Sequence, residues 1–266
     1  MRLKIQIETE CVPIIYRHRV VSFIKEALKK SNGSYKDFLY QNKITKPFTF
    51  NLVLPKNREA NKTLIKIDDN FSVEDIVFSL KDRCITIYIS SLDRGFINSL
   101  YRGIKRLKFF DFSWNDSMLV EGKKIIWKVR SITVFPDKVI KESSVLFKTN
   151  SPMIIEDKED RPVLFNQPEF EECLNEIADR ILKAKHIKGS GLSKPLRFEP
   201  VEMRKQVVKH TLKDFRDKTG KPVMYLTGNS GVFRLSGDPS DLNILHKIGI
   251  GNRTGQGFGM IELVSQ

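Results

Sequence analysis

An α+β protein built from two tandem ferredoxin-like domains and closed by a glycine-rich loop is what this sequence predicts. Three observations carry that prediction. Each half of the chain passes through segments patterned strand, helix, strand, strand, helix, strand. The helical segments carry apolar residues at one-face spacing, whereas the strand segments alternate or run apolar. Finally, five of the 15 glycines fall within residues 249–259, between the last helical pattern and the last strand.

In the first half, residues 2–8 alternate Leu3, Ile5 and Ile7 with polar side chains, a half-buried strand. Residues 17–30 place Val20, Val21, Phe23, Ile24, Ala27 and Leu28 on one helical face, and Asn32-Gly33 stops that helix. A short extra helix is expected over 34–40. Residues 48–54, F-T-F-N-L-V-L, read as a strand closed by Pro55, and residues 83–90, R-C-I-T-I-Y-I-S, as the next. An amphipathic helix over 93–108 and strand-like segments over 109–114 and 124–135 complete the unit.

The second half repeats the order. Segments 145–149 and 163–165 are strand-like, and 169–185 is a helix with Phe170, Cys173, Leu174, Ile177, Ile181 and Leu182 inward. Residues 196–212 and 222–235 are strand-rich, the latter broken by Gly228-Asn229-Ser230-Gly231. Asp238-Pro239 starts a short helix to about His246, and 258–264 is the final strand. Two β-α-β-β-α-β units give domains at 1–139 and 140–266. A sheet of this kind is also an RNA-recognition platform among many other uses. The aromatic signature strands of that platform are missing, so a basic cleft between the domains is the expected binding mode.

Lys and Arg number 46 against 32 Asp and Glu, a formal charge of +14. Residues 156–180 hold nine acids and three bases, net −6, which leaves +20 on the remainder. Such an excess favours a polyanionic partner, because each neutralised phosphate releases condensed counterions. No apolar run reaches the ~18 residues of a membrane span, and the N-terminus carries no signal-peptide core, so a cytoplasmic location without a membrane partner is expected. Cys11, Cys84 and Cys173 are scattered and read as reduced packing residues. His186, His210 and His246 are isolated in sequence. No metal-ligand spacing occurs, so neither a metal nor a cofactor is expected.

The tail K-I-G-I-G-N-R-T-G-Q-G-F-G-M-I-E-L-V excludes two nucleotide-binding loops. A dinucleotide loop needs G-x-G-x-x-G before a helix, and a phosphate-binding loop needs G-K-[ST]. Here the glycines feed a strand. Gly249, Gly251, Gly255, Gly257 and Gly259 would let main-chain N–H groups approach an anion, and Arg253 adds a charge suited to phosphate.

Strand one, then P-I-I-Y-R-H-R-V-V-S-F-I-K, L-Y-Q-N-K-I-T-K-P-F-T-F, F-K-T-N-S-P and the terminal G-I-G-N-R-T-G-Q-G-F-G-M follow in an order that resembles the CRISPR repeat-RNA endoribonucleases. That family is the sixth numbered CRISPR-associated protein, of the RAMP superfamily. The resemblance spans nearly the whole chain, and the glycine-rich tail is its one motif specific in isolation. It implies metal-independent cleavage of CRISPR precursor RNA once per repeat, in which the ribose 2′-OH attacks the adjacent phosphate and leaves 2′,3′-cyclic phosphate and 5′-OH ends. The implied partner is CRISPR repeat RNA, as precursor and as mature guide; a CRISPR effector complex and a homodimer are further partners the reading allows. Two alternatives stand beside the nuclease: a repeat-RNA-binding relative without catalysis, and a RAMP subunit lining guide RNA inside an effector.

Family members place a histidine between the first long helix and the K-x-F-T strand. Here the matching position is Tyr40, the family lysine matches Lys46, and the family tyrosine on the first helix falls at Lys25. Tyr40 is either a catalytic group or a helix-end aromatic packed on Phe38 or Phe48. His18 is the other candidate catalytic group, because a helix start between Arg17 and Arg19 disfavours the imidazolium and keeps a neutral base. Lys25 and Lys29 lie one turn apart and would face one backbone. Arg102, Lys105, Arg106 and Lys108 form a second basic cluster. Arg204, Lys205, Lys209, Lys213 and Arg216 form a third, in what would be a protruding hairpin suited to a stem's phosphates.

Overall fold

The computed structural model describes residues 1–41, 44–107, 109–111, 118–136 and 138–265. The elements run β1 (Arg2–Glu8), β2 (Cys11–Pro13), α1 (Arg17–Ser31), α2 (Gly33–Leu39), β3 (Phe48–Val53), β4 (Arg58–Lys66), β5 (Ser72–Leu80), β6 (Cys84–Ser91) and α3 (Arg94–Leu107). There follow β7 (Phe109–Asp111), β8 (Leu119–Val120), β9 (Lys123–Lys124), β10 (Ile126–Phe135) and β11 (Ser144–Thr149). The chain ends with α4 (Phe170–Leu182), β12 (Arg197–His210), α5 (Lys213–Thr219), β13 (Met224–Ser236), α6 (Pro239–Ile248) and β14 (Ile261–Ser265).

The first unit forms an antiparallel sheet in the order β3-β6-β1-β10-β7, and the second in the order β12-β13-β11-β14. In both, the opening strand lies between the third and fourth strands of its β-α-β-β-α-β unit, the order of a ferredoxin-like sheet. Alternation of Leu3, Ile5 and Ile7 buries one face of β1, and the apolar stripes of α1 and α3 cover it. Phe23 meets Phe110 and Trp127 edge-to-face at 5.7 and 5.9 Å, and Phe48 stacks on Phe96 at 4.5 Å. A second core gathers Phe147, Phe170, Phe198 and Phe233 beneath α4 and α6. Among the described residues no helix is long and apolar enough to cross a membrane.

Four expectations are corrected. Residues 58–80, given no element from sequence, form the hairpin β4–β5, which joins β2, β8 and β9 in a third sheet. Only Ile65 of β4 is buried, so the alternation that announces a strand is absent. Gly228–Gly231 does not break β13. Asn229 is fully buried there, donating to Val163 O and accepting from Phe165 N, and the ladder to β12 continues through it. Those bonds also explain why residues 163–165 are held as a loop rather than a strand. Finally, the β12–β13 hairpin does not protrude: its end carries α5 back onto the first domain, where Val223 packs into the first core. Of the expected segment 109–114, β7 covers the first three residues and the rest lie outside the described residues, as does Lys108.

The two domains meet where the glycine-rich loop lies on β3. Thr49 Oγ1 donates to Phe258 O (2.9 Å), Arg17 Nε donates to Gly257 O (3.3 Å), and Arg2 pairs with Glu262. Gly257 has φ +86°, and a Cβ there would sit 2.4 Å from the buried Phe50 ring. Gly257→Ala therefore combines left-handed strain with overpacking. Chemical denaturation is expected to show a loss of about 2–4 kcal/mol. A loss below about 0.5 kcal/mol, the range of ordinary surface substitutions, would contradict this packing.

Candidate nucleic-acid interface

A cleft of about 540 Å³ opens along this seam, with walls from α1, the segment between α2 and β3, the end of β12 and the glycine-rich loop. Its lining includes His18, Lys25, Tyr40, Lys46, His210 and Arg253. All four predicted catalytic residues are brought together there, although they come from three separate stretches of chain.

Local structure fixes each one. Tyr40 caps α2, its N–H bonded to Lys36 O, so the ring is delivered at the helix end. The Lys25 ammonium lies 4.5 Å from the Tyr40 ring centroid and that of Lys46 5.2 Å, two cation–π contacts on one ring. Lys46 Nζ donates to Ile44 O (2.9 Å), and burial together with the charge of Lys25 lowers its pKa. Burial pushes the Tyr40 phenol well up, and its hydroxyl has neither solvent contact nor a hydrogen-bond partner. Both open roles for Tyr40 are compatible with this position, since its ring also packs against the first core.

His18 lies at the start of α1, and burial, followed by Arg19, His210 and Arg216, holds its pKa well below the usual histidine value. The ring is thus neutral, chiefly through desolvation rather than through the helix end. A backbone interaction with Ile15 opposes that shift, and both ring nitrogens are closed off from solvent. His210, from the other domain, is held at about 3 by burial and by Arg17; its Nε2 donates to Gln256 Oε1 (3.2 Å), and its Nδ1 is unpartnered. Sequence reasoning missed His210, which belongs to no motif; its place at the end of a long strand feeding the seam is visible only in the fold.

The loop is built by helix chemistry at one end and left-handed turns at the other. Asp238 accepts from Ser240 N to start α6, and Gly249 at φ +90° stops it. Arg253 and Gly257, at φ +62° and +86°, flank the 3₁₀ turn Thr254–Gln256. A Cβ at Gly255 would meet the Lys46 side chain at 2.5 Å, so that glycine lets the loop close over the lysine. Gly249, Gly257 and Gly259 are buried in the seam, and only Gly251 and Gly255 line the cleft. The glycine cluster thus serves domain packing first. Arg253 lies 3.4 Å from Glu156, which also accepts from Asn252 Nδ2.

The other predicted contacts lie elsewhere. Lys29 is exposed on α1 but does not line the cleft; Arg102, Lys105 and Arg106 sit on α3, with Arg106 donating to Lys30 O. Lys205 is exposed on β12, whereas Lys209 is engaged by Asp75 at 2.6 Å, inside the molecule rather than on a free arm. Arg216 is likewise buried, bonded to Asp68 and Thr211. Among the described residues no group of three or more His, Cys, Asp or Glu is placed to hold a metal ion.

Residues 135–263 match the family model for the C-terminal region of the CRISPR-associated protein Cas6. The matched segment carries the second sheet and its helices and makes up just under half of the chain. The fold of the chain is shared end to end with solved structures. One, from a study of a Cas6-related gene of Pyrococcus furiosus, is 19% identical, with a TM-score of 0.74, covering 100% of this chain and 99% of that one. Another, described as a RAMP protein binding different RNA substrates, is 18% identical, with a TM-score of 0.72 and full coverage of both chains. A third, a CRISPR-associated protein Cas6, is 21% identical, with a TM-score of 0.68 over 100% and 99%. A comparison with curated protein sequences finds no match.

The buried histidines of this chain give a pH signature. Unfolded histidine takes up a proton near pH ~6.5, whereas folded His210 does so only near about 3, so the unfolded state binds more protons between those values. Stability is present above pH ~6.5 and is lost as pH falls towards 3, with a slope of about 1.4 kcal/mol per unit per histidine. Urea midpoints measured from pH 7.5 to 5 are expected to fall, and less steeply in His210→Gln. An equal slope in that variant would contradict the burial of His210.

Proposed function

We propose that the cleft binds CRISPR repeat RNA and cleaves it by metal-independent transesterification. The observation that carries this reading is the convergence of two lysine ammoniums on Tyr40 in the cleft that also holds a neutral His18. His18 accepts the proton of the ribose 2′-OH, whose oxygen bonds to the adjacent phosphorus. The P–O5′ bond breaks, and the 5′-oxygen takes a proton from the Tyr40 hydroxyl; as the products leave, the His18 imidazolium gives up the proton it took and the phenolate regains one, so both groups return to their neutral forms. Lys46 and Lys25 stabilise the charge of the phosphorane, where cations in a partly dehydrated cleft act most strongly. Products are a 2′,3′-cyclic phosphate and a 5′-OH. The basic excess of the chain draws the polyanion in, and the loop with Arg253 holds it.

A second reading, RNA holding without cutting, is favoured by one observation: the Tyr40 hydroxyl and both His18 nitrogens are sealed from solvent. Under that reading the lysines grip phosphate and the sealed groups only pack.

Single-turnover incubation with the cognate repeat RNA in excess EDTA separates the two. One cut with cyclic-phosphate ends is expected, slowed ~10²–10³-fold by Lys46→Ala and ~10²-fold or more by Tyr40→Phe. Because His18 stays neutral well below pH 6.5, the rate should hold between pH 8 and 6. Tight binding with uncut RNA assigns the second reading, and cleavage that requires a metal overturns the mechanism.

A further inference from the structure

Both β-α-β-β-α-β sheets close without the β4–β5 hairpin, which raises the question of what the hairpin does. Its turn touches both walls of the cleft through two consecutive residues. Ile67 O accepts from Arg19 Nη2 (2.9 Å), and Arg19, which is 2% exposed, follows His18 on α1. Asp68 Oδ2 accepts from Arg216 Nη2 (2.6 Å) on α5, and Arg216 Nη1 donates to Thr211 Oγ1 (2.8 Å), next to His210. The ring of Phe71 lies 5.6 Å from the same guanidinium, and on β5 Asp75 engages Lys209, the residue before His210.

We propose that Asp68, with Asp75 in support, is a positioning residue that sets the separation of the His18 and His210 walls of the cleft. The inference rests on reading the cleft as the RNA-processing site. The two oxygens of Asp68 have separate tasks. Oδ1 accepts from Asn70 N and Phe71 N, both at 3.0 Å, and builds the turn; Oδ2 holds the guanidinium. A buried arginine deprived of its carboxylate moves towards water, and the 210–213 segment moves with it. Displacements of this size, far from the reacting atoms, disrupt catalytic alignment while leaving most backbone contacts to a long polyanion intact.

Asp68→Asn isolates the clasp, since the amide oxygen still accepts the two turn amides while the charge is lost. The single-turnover rate at saturating repeat RNA is expected to fall ~10–10²-fold, with RNA affinity changed less than ~3-fold. Carbethoxylation of His18 and His210 by diethylpyrocarbonate, read by mass spectrometry on free protein, should rise ~10-fold as the sealed nitrogens become accessible. Asp69→Asn, on the same turn, should change neither. Asp75→Asn is measured alongside and decides the matter if Asp68→Asn does not fold. A folded variant with unaltered histidine labelling overturns the proposal. If the wild-type protein cuts no RNA, the reading of the cleft as catalytic fails, while the labelling still decides whether Asp68 sets its walls.

Discussion

The approach of the glycine-rich loop to β3 is the constraint on which the rest of the molecule depends. Gly257 lies against Phe50 at a distance that admits no side chain, and Arg17 and Thr49 donate to the consecutive carbonyls of Gly257 and Phe258. Because the loop is fixed at this point, Gly255 closes over Lys46, and the 3₁₀ turn presents Gln256 to His210. The cleft is therefore a product of the seam: neither domain holds the four candidate catalytic residues together with His210.

Burial decides the electrostatics of the site more than pairwise charge does. Desolvation is the leading cause for His18, His210, Tyr40 and Lys46, and each is moved towards its neutral form. Arginines on both sides reinforce the effect at the histidines. A cleft of neutral proton-transfer groups ringed by cations suits a phosphodiester, whose reaction needs both charge stabilisation and proton movement.

Much of this was legible in the sequence, and the exceptions have physical causes. The period of α1, the alternation of β1 and the placement of glycines between a helix and a strand gave both ferredoxin-like units, since each reflects one buried face. Tyr40 and Lys46 were found through motif order, not through chemistry. The β4–β5 hairpin was hidden because β4 is mostly exposed, with Ile65 its one buried residue, and because β5 buries the charged Asp75 beside its apolar residues, which blurs the alternation of a half-buried strand. Gly228–Gly231 resembled a turn, yet the buried side chain of Asn229 holds a loop of the same domain and the strand runs on. His210 was unreadable because its partners are contributed by the other domain and by the far end of the chain. The protruding basic hairpin failed as an expectation because Asp68 and Asp75, on the unrecognised hairpin, engage two of its cations.

Hydrogen–deuterium exchange with and without the cognate repeat RNA tests the central claim, that the seam cleft is where RNA is held. Protection is predicted at residues 44–46, 210–213 and 251–256 together, one from each wall. Protection confined to α3 around Arg102, Lys105 and Arg106, with the seam unchanged, would contradict it.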